Sequence, residues 1–357
     1  MGLSQEDGFL SLFGGGLGQG LNIGTSSVKL VQMKGSGKSW KLEHFAMALL
    51  PEDAVLGREI SNAVAVRTTI DAVLGQSRLR GRNICTGISG SSVMLKRMTV
   101  ESPSKKELQA AVFWEAEQYL PFDPNEIAMD FHLLGPLKNN SYDVIFIAAK
   151  LQTVDGYSDV VQESGLVPKV IDSEYFSVQN VFEANYTINP GEAVALVEIG
   201  AVAMRIQVVQ DGAAIYTKDA AIGGRNLTQE IQKHLSLSFS DAESLKVNSG
   251  SSATPPEVHE MMEVTAENFA IELKRALDFY NASSTGAPVA YALLCGGGAK
   301  LPNLSRIVED RVGIPTQMLN PFAKIKFDES KYDPAQIQEA GPMLVVPMGL
   351  AMRMSSE

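Results

Sequence analysis

The chain has 357 residues, 45% of them hydrophobic, enough for the core of one large two-lobed unit or of two domains and too apolar for a disordered chain. A formal net charge of -11 excludes a nucleic-acid binder, which concentrates Lys and Arg against phosphates. The only two cysteines, Cys85 and Cys295, stand far apart inside apolar runs, which excludes a disulfide framework and a zinc site and reads as a reducing compartment.

Residues 1–19 read as a flexible N-terminal tail, with Phe9, Leu10, Leu12 and Phe13 ahead of Gly14-Gly15-Gly16. Glu6-Asp7 stands where a secretory signal carries positive charge, and no apolar window is long enough to cross a membrane. Gly20 to Met33 then reads as a strand, a Gly24-Thr25-Ser26-Ser27 turn and a returning strand with Lys29 near its start. Small residues at such a tip let backbone N–H groups approach a phosphate, although the same pattern also makes an ordinary β-turn. Trp40–Leu50 continues the sheet, and Ile60–Leu74 has helical spacing with Gly75 at its end.

Ile84–Ser89 and Val93–Val100 are short strands. Ser104 reads as a helix N-cap with Glu107 at the capping-box position, opening a helix over Leu108–Leu120 that Pro121 stops. Asp143–Lys150 is an apolar strand, Val154–Ser164 a helix, and Gly165–Asp172 a turn into a strand, so residues 85–171 read as an inserted module.

A second hairpin follows Pro190-Gly191. Ala195–Ile199 enters, Gly200-Ala201 turns, and Met204–Val209 returns, with Glu198 placed as Asn22 is in the first. Gly223-Gly224 opens a helix over Leu227–Leu235, 236–256 reads as a loop-prone excursion, and Thr265–Tyr280 is a helix. A third cluster, Gly296-Gly297-Gly298 with Lys300, leaves a buried strand and opens a helix, which points its N–H groups at the cleft between two halves or simply allows tight packing. Val345–Met354 is a closing helix. His44, His132, His234 and His259 have no ligand or triad spacing, which sets hydrolases and metalloenzymes aside.

Two phosphate-type hairpins followed by a strand–glycine–helix step resemble the actin-like ATPase superfamily, the group of actin and FtsA. Within it the chain is similar to the PilM family of type IV pilus assembly proteins. The resemblance is carried by Asn-Ile-Gly-Thr-Ser-Ser-Val-Lys-Leu-Val from Asn22, Glu-Gln-Tyr-Leu-Pro-Phe from Glu117, Ala-Ile-Gly-Gly-Arg-Asn-Leu-Thr from Ala221, Ala-Leu-Asp-Phe-Tyr from Ala276, and Gly-Gly-Gly-Ala-Lys-Leu-Pro-Asn-Leu from Gly296.

It implies an α/β, bilobed actin-like (ribonuclease H-like) ATPase fold with an FtsA-like inserted subdomain. The first lobe would span 20–84 and 172–189, the insert 85–171, the second lobe 190–340, and a C-terminal helix in 341–357 would return to the first lobe. It further implies ATP and Mg²⁺ in the cleft, the N-terminal cytoplasmic tail of the membrane protein PilN in a groove beside the insert, contact with pilus motor ATPases, and a cytoplasmic protein held at the inner membrane through its partner.

The nucleotide-binding candidates are Asn22, Gly24, Thr25, Ser26, Ser27, Lys29, Gly200, Ala201, Gly223, Gly224, Lys274, Arg275, Gly296, Gly297, Gly298 and Lys300. Lys274 and Arg275 also suit the wet face of an amphipathic helix. Asn22 and Glu198 depart from the aspartates usual in this superfamily. An amide cannot hold hydrated Mg²⁺ electrostatically, so slow or absent hydrolysis is expected, with Glu198 the one catalytic candidate and an indirect metal contact through water. Arg205 and Arg225 stay open as in-cis stabilisers. An FtsA-like polymerising ATPase and a cytoplasmic component of a type II secretion system are the alternatives.

Overall fold

The computed structural model describes residues 16–354 except 38, 78, 80, 91–92, 121–122, 250–253 and 285. The chain begins with β1 (Gly16–Ile23), β2 (Ser27–Ser36), β3 (Ser39–Leu49), the short β4 (Val55–Leu56) and β5 (Glu59–Ile60), α1 (Ala63–Gln76) and β6 (Asn83–Ile88). It continues through β7 (Val93–Glu101), α2 (Leu108–Glu117), β8 (Ile127–Pro136), β9 (Ser141–Lys150), α3 (Leu151–Glu163), β10 (Val167–Ser173) and α4 (Glu174–Asn185). The second half holds β11 (Ala193–Ile199), β12 (Met204–Gln210), β13 (Ala213–Ala220), α5 (Gly224–Leu235), α6 (Phe239–Val247) and α7 (Pro256–Ser283). It closes with β14 (Val289–Cys295), α8 (Leu304–Val312), β15 (Thr316–Met318) and α9 (Pro334–Met354).

Two five-stranded sheets repeat one topology, β10-β6-β1-β2-β3 and β15-β14-β11-β12-β13. In each, an antiparallel hairpin gains a third antiparallel strand on one side and two parallel strands on the other. A helix follows each sheet, α4 after β10 and α9 after β15, and these two helices form the layer between the sheets. Their crossing is backbone-close: a Cβ on Gly349 would lie 1.9 Å from the Ser177 carbonyl oxygen.

Both faces of each sheet are thus covered, which is why β11 is buried throughout. Leu21, Ile23, Val28 and Leu30 face a core shared with α1 and α3, whereas Val31 and Met33 join Val194, Leu196 and Val209 around α4 and α9. On the outer face of the second sheet, Val197, Ile199 and Ile206 pack on Phe269, Leu273 and Tyr280 of α7. Each such side chain taken fully out of water stabilises the fold by about 1.5–3 kcal/mol.

The inserted unit is narrower than 85–171. Its sheet is β7-β9-β8, with α2 packed on one face through Leu108, Val112 and Ala116. Cys85 pairs with Gly20 and Ile171 with Thr86, so β6 and β10 belong to the first lobe's sheet, and α3 buries Tyr157, Val160 and Val161 in that lobe's core. Strand partners so far apart in sequence leave no local mark, which is why the wider span was expected.

Other differences are local. β1 begins at Gly16 rather than Gly20 because Gly16–Gln19 find partners in Gly35–Gln32; the rest of the predicted tail lies outside the described residues, as do Pro121 and Phe122. Ser104 does not cap α2: its carbonyl closes a turn with the Glu107 N–H, and Glu107 stands at the cap position without a side-chain bond. The 236–256 excursion contains α6, capped by Ser238, and α9 starts at Pro334, well before Val345. α4 and β8 were not anticipated.

Candidate functional site

The period of two along a strand decides which side chains enter the layer between the sheets. Val31 and Met33 face that layer, so Lys29 does too; Asn22 lies directly opposite Lys29 in the β1–β2 register. In the second lobe Val194, Leu196 and Val209 face it, and the same alternation brings in Glu198 and its opposite neighbour Arg205. The hairpin tips close alike, by Gly24 N–H to the Ser27 carbonyl at 3.0 Å and Gly200 N–H to the Ala203 carbonyl at 2.9 Å. At the sheets' open end the hairpins therefore present Asn22 with Lys29 and Glu198 with Arg205 into one cleft.

Glu174, the first residue of α4, ties these pairs together. Buried to 1% exposure, it accepts from the Asn22 amide at 2.5 Å, the Ser89 hydroxyl at 2.6 Å and the Arg58 guanidinium at 3.3 Å, and it pairs with Arg205 at 2.6 Å. Arg205 also pairs with Glu198 and donates to Ser89 Oγ at 2.7 Å. The helix N-terminus, where Ser173 Oγ accepts from the Tyr175 N–H, adds a favourable dipole for the carboxylate. Burial alone pushes Glu174 up, but Arg205 and Arg58 outweigh it and hold the carboxyl below its ordinary range. Burial pushes Glu198 up, against the opposing pull of Arg205.

Lys29 is the cation with least compensation. Its ammonium lies 3.5 Å from Asn22 Oδ1, an amide oxygen, and desolvation lowers its pKa although Glu198 and Glu174 act the other way. Lys29, Arg58 and Arg205 thus stand around Glu174 and Glu198, with Asp219 directly across β12–β13 from Arg205.

The glycines divide by what holds them. Gly296 has φ +88° and donates its N–H to the Pro342 carbonyl, and its Cβ would sit 2.4 Å from the Ile199 carbonyl oxygen. A Cβ on Gly298 would sit 2.5 Å from Ile199 Cγ2, and one on Gly223 2.5 Å from the Ala201 carbonyl oxygen. Packing alone requires these three to be small. Gly297 differs: a Cβ there meets nothing nearer than Met343 at 3.9 Å, so its smallness is not demanded by the protein itself. Gly224 and Arg225 donate backbone N–H groups to the Gly200 and Ala201 carbonyls at 3.0 and 2.7 Å, clamping the start of α5 onto the second hairpin.

Across the cleft, Arg225 Nη2 donates to the Thr25 carbonyl at 3.0 Å and joins the two lobes, while the Ser26 carbonyl is taken by the Leu50 N–H. A Cβ on Gly24 would meet Lys29 Nζ at 3.8 Å, and one on Gly224 would meet the Gly200 carbonyl oxygen at 3.8 Å and Gly298 Cα at 3.9 Å, so each hairpin tip stays beside its own small residues. Lys274 and Arg275 are not drawn into this cluster. Lys274 stands half-exposed and Arg275 exposed on α7, in ion pairs with Asp278 and Glu272 one turn away. Lys300 pairs with the exposed Glu339.

Arg58, Ser89 and Glu174 were missed. Arg58 has φ +74° and lays its stem over Gly90, whose Cβ would be 2.7 Å from Arg58 Cγ. A Gly-Arg pair in a two-strand turn was the available signal. The resemblance gives Glu198 an indirect metal contact through water; here its carboxylate pairs with Arg205, and no group of three or more His, Cys, Asp and Glu among the described residues is placed to ligate a metal ion directly. The residues fit an anionic polyphosphate beside Lys29 and Gly297 and do not fit a directly ligated divalent cation.

The family model described as type IV pilus assembly protein PilM matches residues 20–355. A chain of the structure described as the PilM-PilN type IV pilus biogenesis complex is 28% identical, with TM-score 0.84, over 95% of this chain and 98% of that one. The ethanolamine utilization protein EutJ from Carboxydothermus hydrogenoformans shares the fold at 14% identity and TM-score 0.57, over 96% of this chain and 92% of that one. A diol dehydratase-reactivating factor in nucleotide-free form does so at 10% identity and TM-score 0.54, over 95% and 99%. The fold is that of the actin-like ATPases. Among the described residues no helix is long and apolar enough to cross a membrane.

Proposed function

Because the chain belongs to the PilM family of type IV pilus assembly proteins, we propose that it is a nucleotide-binding adaptor of the pilus machinery that holds ATP without turning it over at enzymatic rates. The observation that carries this reading is the charge state of the cleft. Its two carboxylates are already paired with Arg205 and Arg58, and Lys29 hydrogen-bonds an amide oxygen rather than a carboxylate. A bound polyphosphate supplies the missing anion, Lys29 holds it, and Gly297 leaves room for it.

Hydrolysis needs a side chain free to orient or polarise the attacking water. Asn22 donates its amide to Glu174 instead, and Glu198 faces Arg205. Slow turnover follows. Thermal stabilisation by ATP together with turnover well below about 1 per second supports the proposal, and turnover at ordinary enzyme rates refutes it.

The partner reading rests on the insert. The sheet face turned away from α2 carries Leu95, Ile145, Ile147 and Leu134 and meets Phe176 of α4 and Ala213 of β13. Both β7 and β8 are edge strands, so an extended peptide can add main-chain hydrogen bonds there while placing aliphatic side chains against half-buried Leu95 and Ile147. The related chain at 28% identity comes from a complex with PilN, and the proposed peptide is the PilN N-terminal tail, which would hold this protein at the inner membrane. Pull-down with that tail, with and without ATP, tests it; no capture in either state refutes it.

A further inference from the structure

We infer that Arg205 takes the place of a divalent cation in this cleft, so that the nucleotide is bound in its metal-free form. The inference rests on the nucleotide-binding reading above and adds the ionic form in which the ligand is held.

The two hairpins place a cation at equivalent points. Lys29 stands opposite Asn22 in the first, and Arg205 stands opposite Glu198 in the second. Arg205 reaches across from there to both carboxylates of the cleft, Glu198 and Glu174, with its side chain only 4% exposed. A guanidinium offers several donors in a fixed fork and stays charged throughout the accessible pH range, and here Glu174 and Glu198 raise its pKa further against the effect of burial. A bridging, permanent cation between two acids is the electrostatic role a hydrated metal ion would otherwise have.

The cleft is built so that a metal has no opening. For Glu198 to serve a cation it would have to release Arg205 and leave a buried guanidinium half paired. At the mirrored position the group is Asn22, whose amide N–H₂ is already committed to Glu174 and repels cations. A divalent ion would also sit against Lys29, Arg58 and Arg205 in a buried site, whereas the more highly charged metal-free polyphosphate is drawn to them.

The test is calorimetric titration of the full chain with ATP, once in excess Mg²⁺ and once in EDTA. The expected result is binding at least about threefold tighter in EDTA than in excess Mg²⁺, because Mg²⁺ draws ATP away from a site that takes the metal-free form. A smaller gain in EDTA, or weaker binding there, overturns the inference while leaving the nucleotide-binding reading intact, and no binding in either buffer overturns both. A charge-balanced double variant, Arg205→Gln with Glu198→Gln, separates the role of Arg205 from its mere presence. It is expected to lose at least tenfold in EDTA and to regain part of that with Mg²⁺. Unchanged affinity in EDTA would show that Arg205 is only structural, and should the variant not fold, the wild-type comparison still decides.

Discussion

The substitution Glu174→Gln removes one charge at nearly constant shape, and the structure sets the cost. Glu174 is buried and serves two guanidiniums, Arg58 and Arg205, as well as Ser89 and Asn22. The amide would keep one acceptor oxygen but take from Arg58 its ion pair and from Arg205 one of its two. Breaking a buried pair from one side costs about 3–5 kcal/mol. A cooperative unit of 357 residues has an unfolding entropy near 0.75 kcal/mol/K, at about 2.1 cal/mol/K per residue, so the melting temperature should fall by about 5 °C. Circular dichroism melts at pH 7 measure it. The pH dependence has a definite sign. The folded pKa of Glu174 lies below its unfolded value of about 4.3, so its contribution is whole above that value and is lost as the pH falls through the folded pKa. The gap between wild type and variant should therefore shrink on acidification below about pH 4. A variant melting within about 1 °C of wild type at pH 7, or a gap that stays constant into acid, would refute Glu174 as the shared counter-ion of this cluster.

Gly297→Val should abolish stabilisation by ATP while leaving the melting temperature of the free protein nearly unchanged, whereas Gly298→Ala should cost about 1–3 kcal/mol in denaturant titrations because its Cβ runs into Ile199. If ATP still stabilises the Gly297 variant, that glycine does not face the ligand. Lys29→Met should weaken ATP at least tenfold in titration calorimetry, and an unchanged dissociation constant would remove Lys29 from the phosphate site. Val93 and Ala149 are register partners, so excising 94–148 with a two-residue linker joins neighbouring backbone positions. The shortened protein should still bind ATP and lose the PilN tail, and capture of the tail by it would move the docking surface to the lobes.

The hairpins were legible in the sequence because each is local: an apolar strand, small residues at the tip, and a β-branched return. The insert's limits were not, since nothing near Cys85 or Ile171 announces that their partners are Gly20 and Thr86. α4 could have been read. Ser173-Glu174 is a capped helix start, and Tyr175, Phe176, Val178, Val181 and Phe182 are apolar on every side, the mark of a helix buried between two layers. With α4 went Glu174, and with Glu174 the reason the cleft's charges balance as they do. Glu198 was read as an indirect metal contact through water because it stands where the superfamily usually carries an aspartate. Yet the offset from Glu198 to Arg205 equals that from Asn22 to Lys29, and two hairpins with the same tip share one register. That a cation lies opposite each acidic or amide residue follows from this spacing alone. That Arg205 also spans to Glu174 follows only from the crossing of α4 between the sheets, and this second bond turns a local strand pair into a counter-ion for the whole cleft.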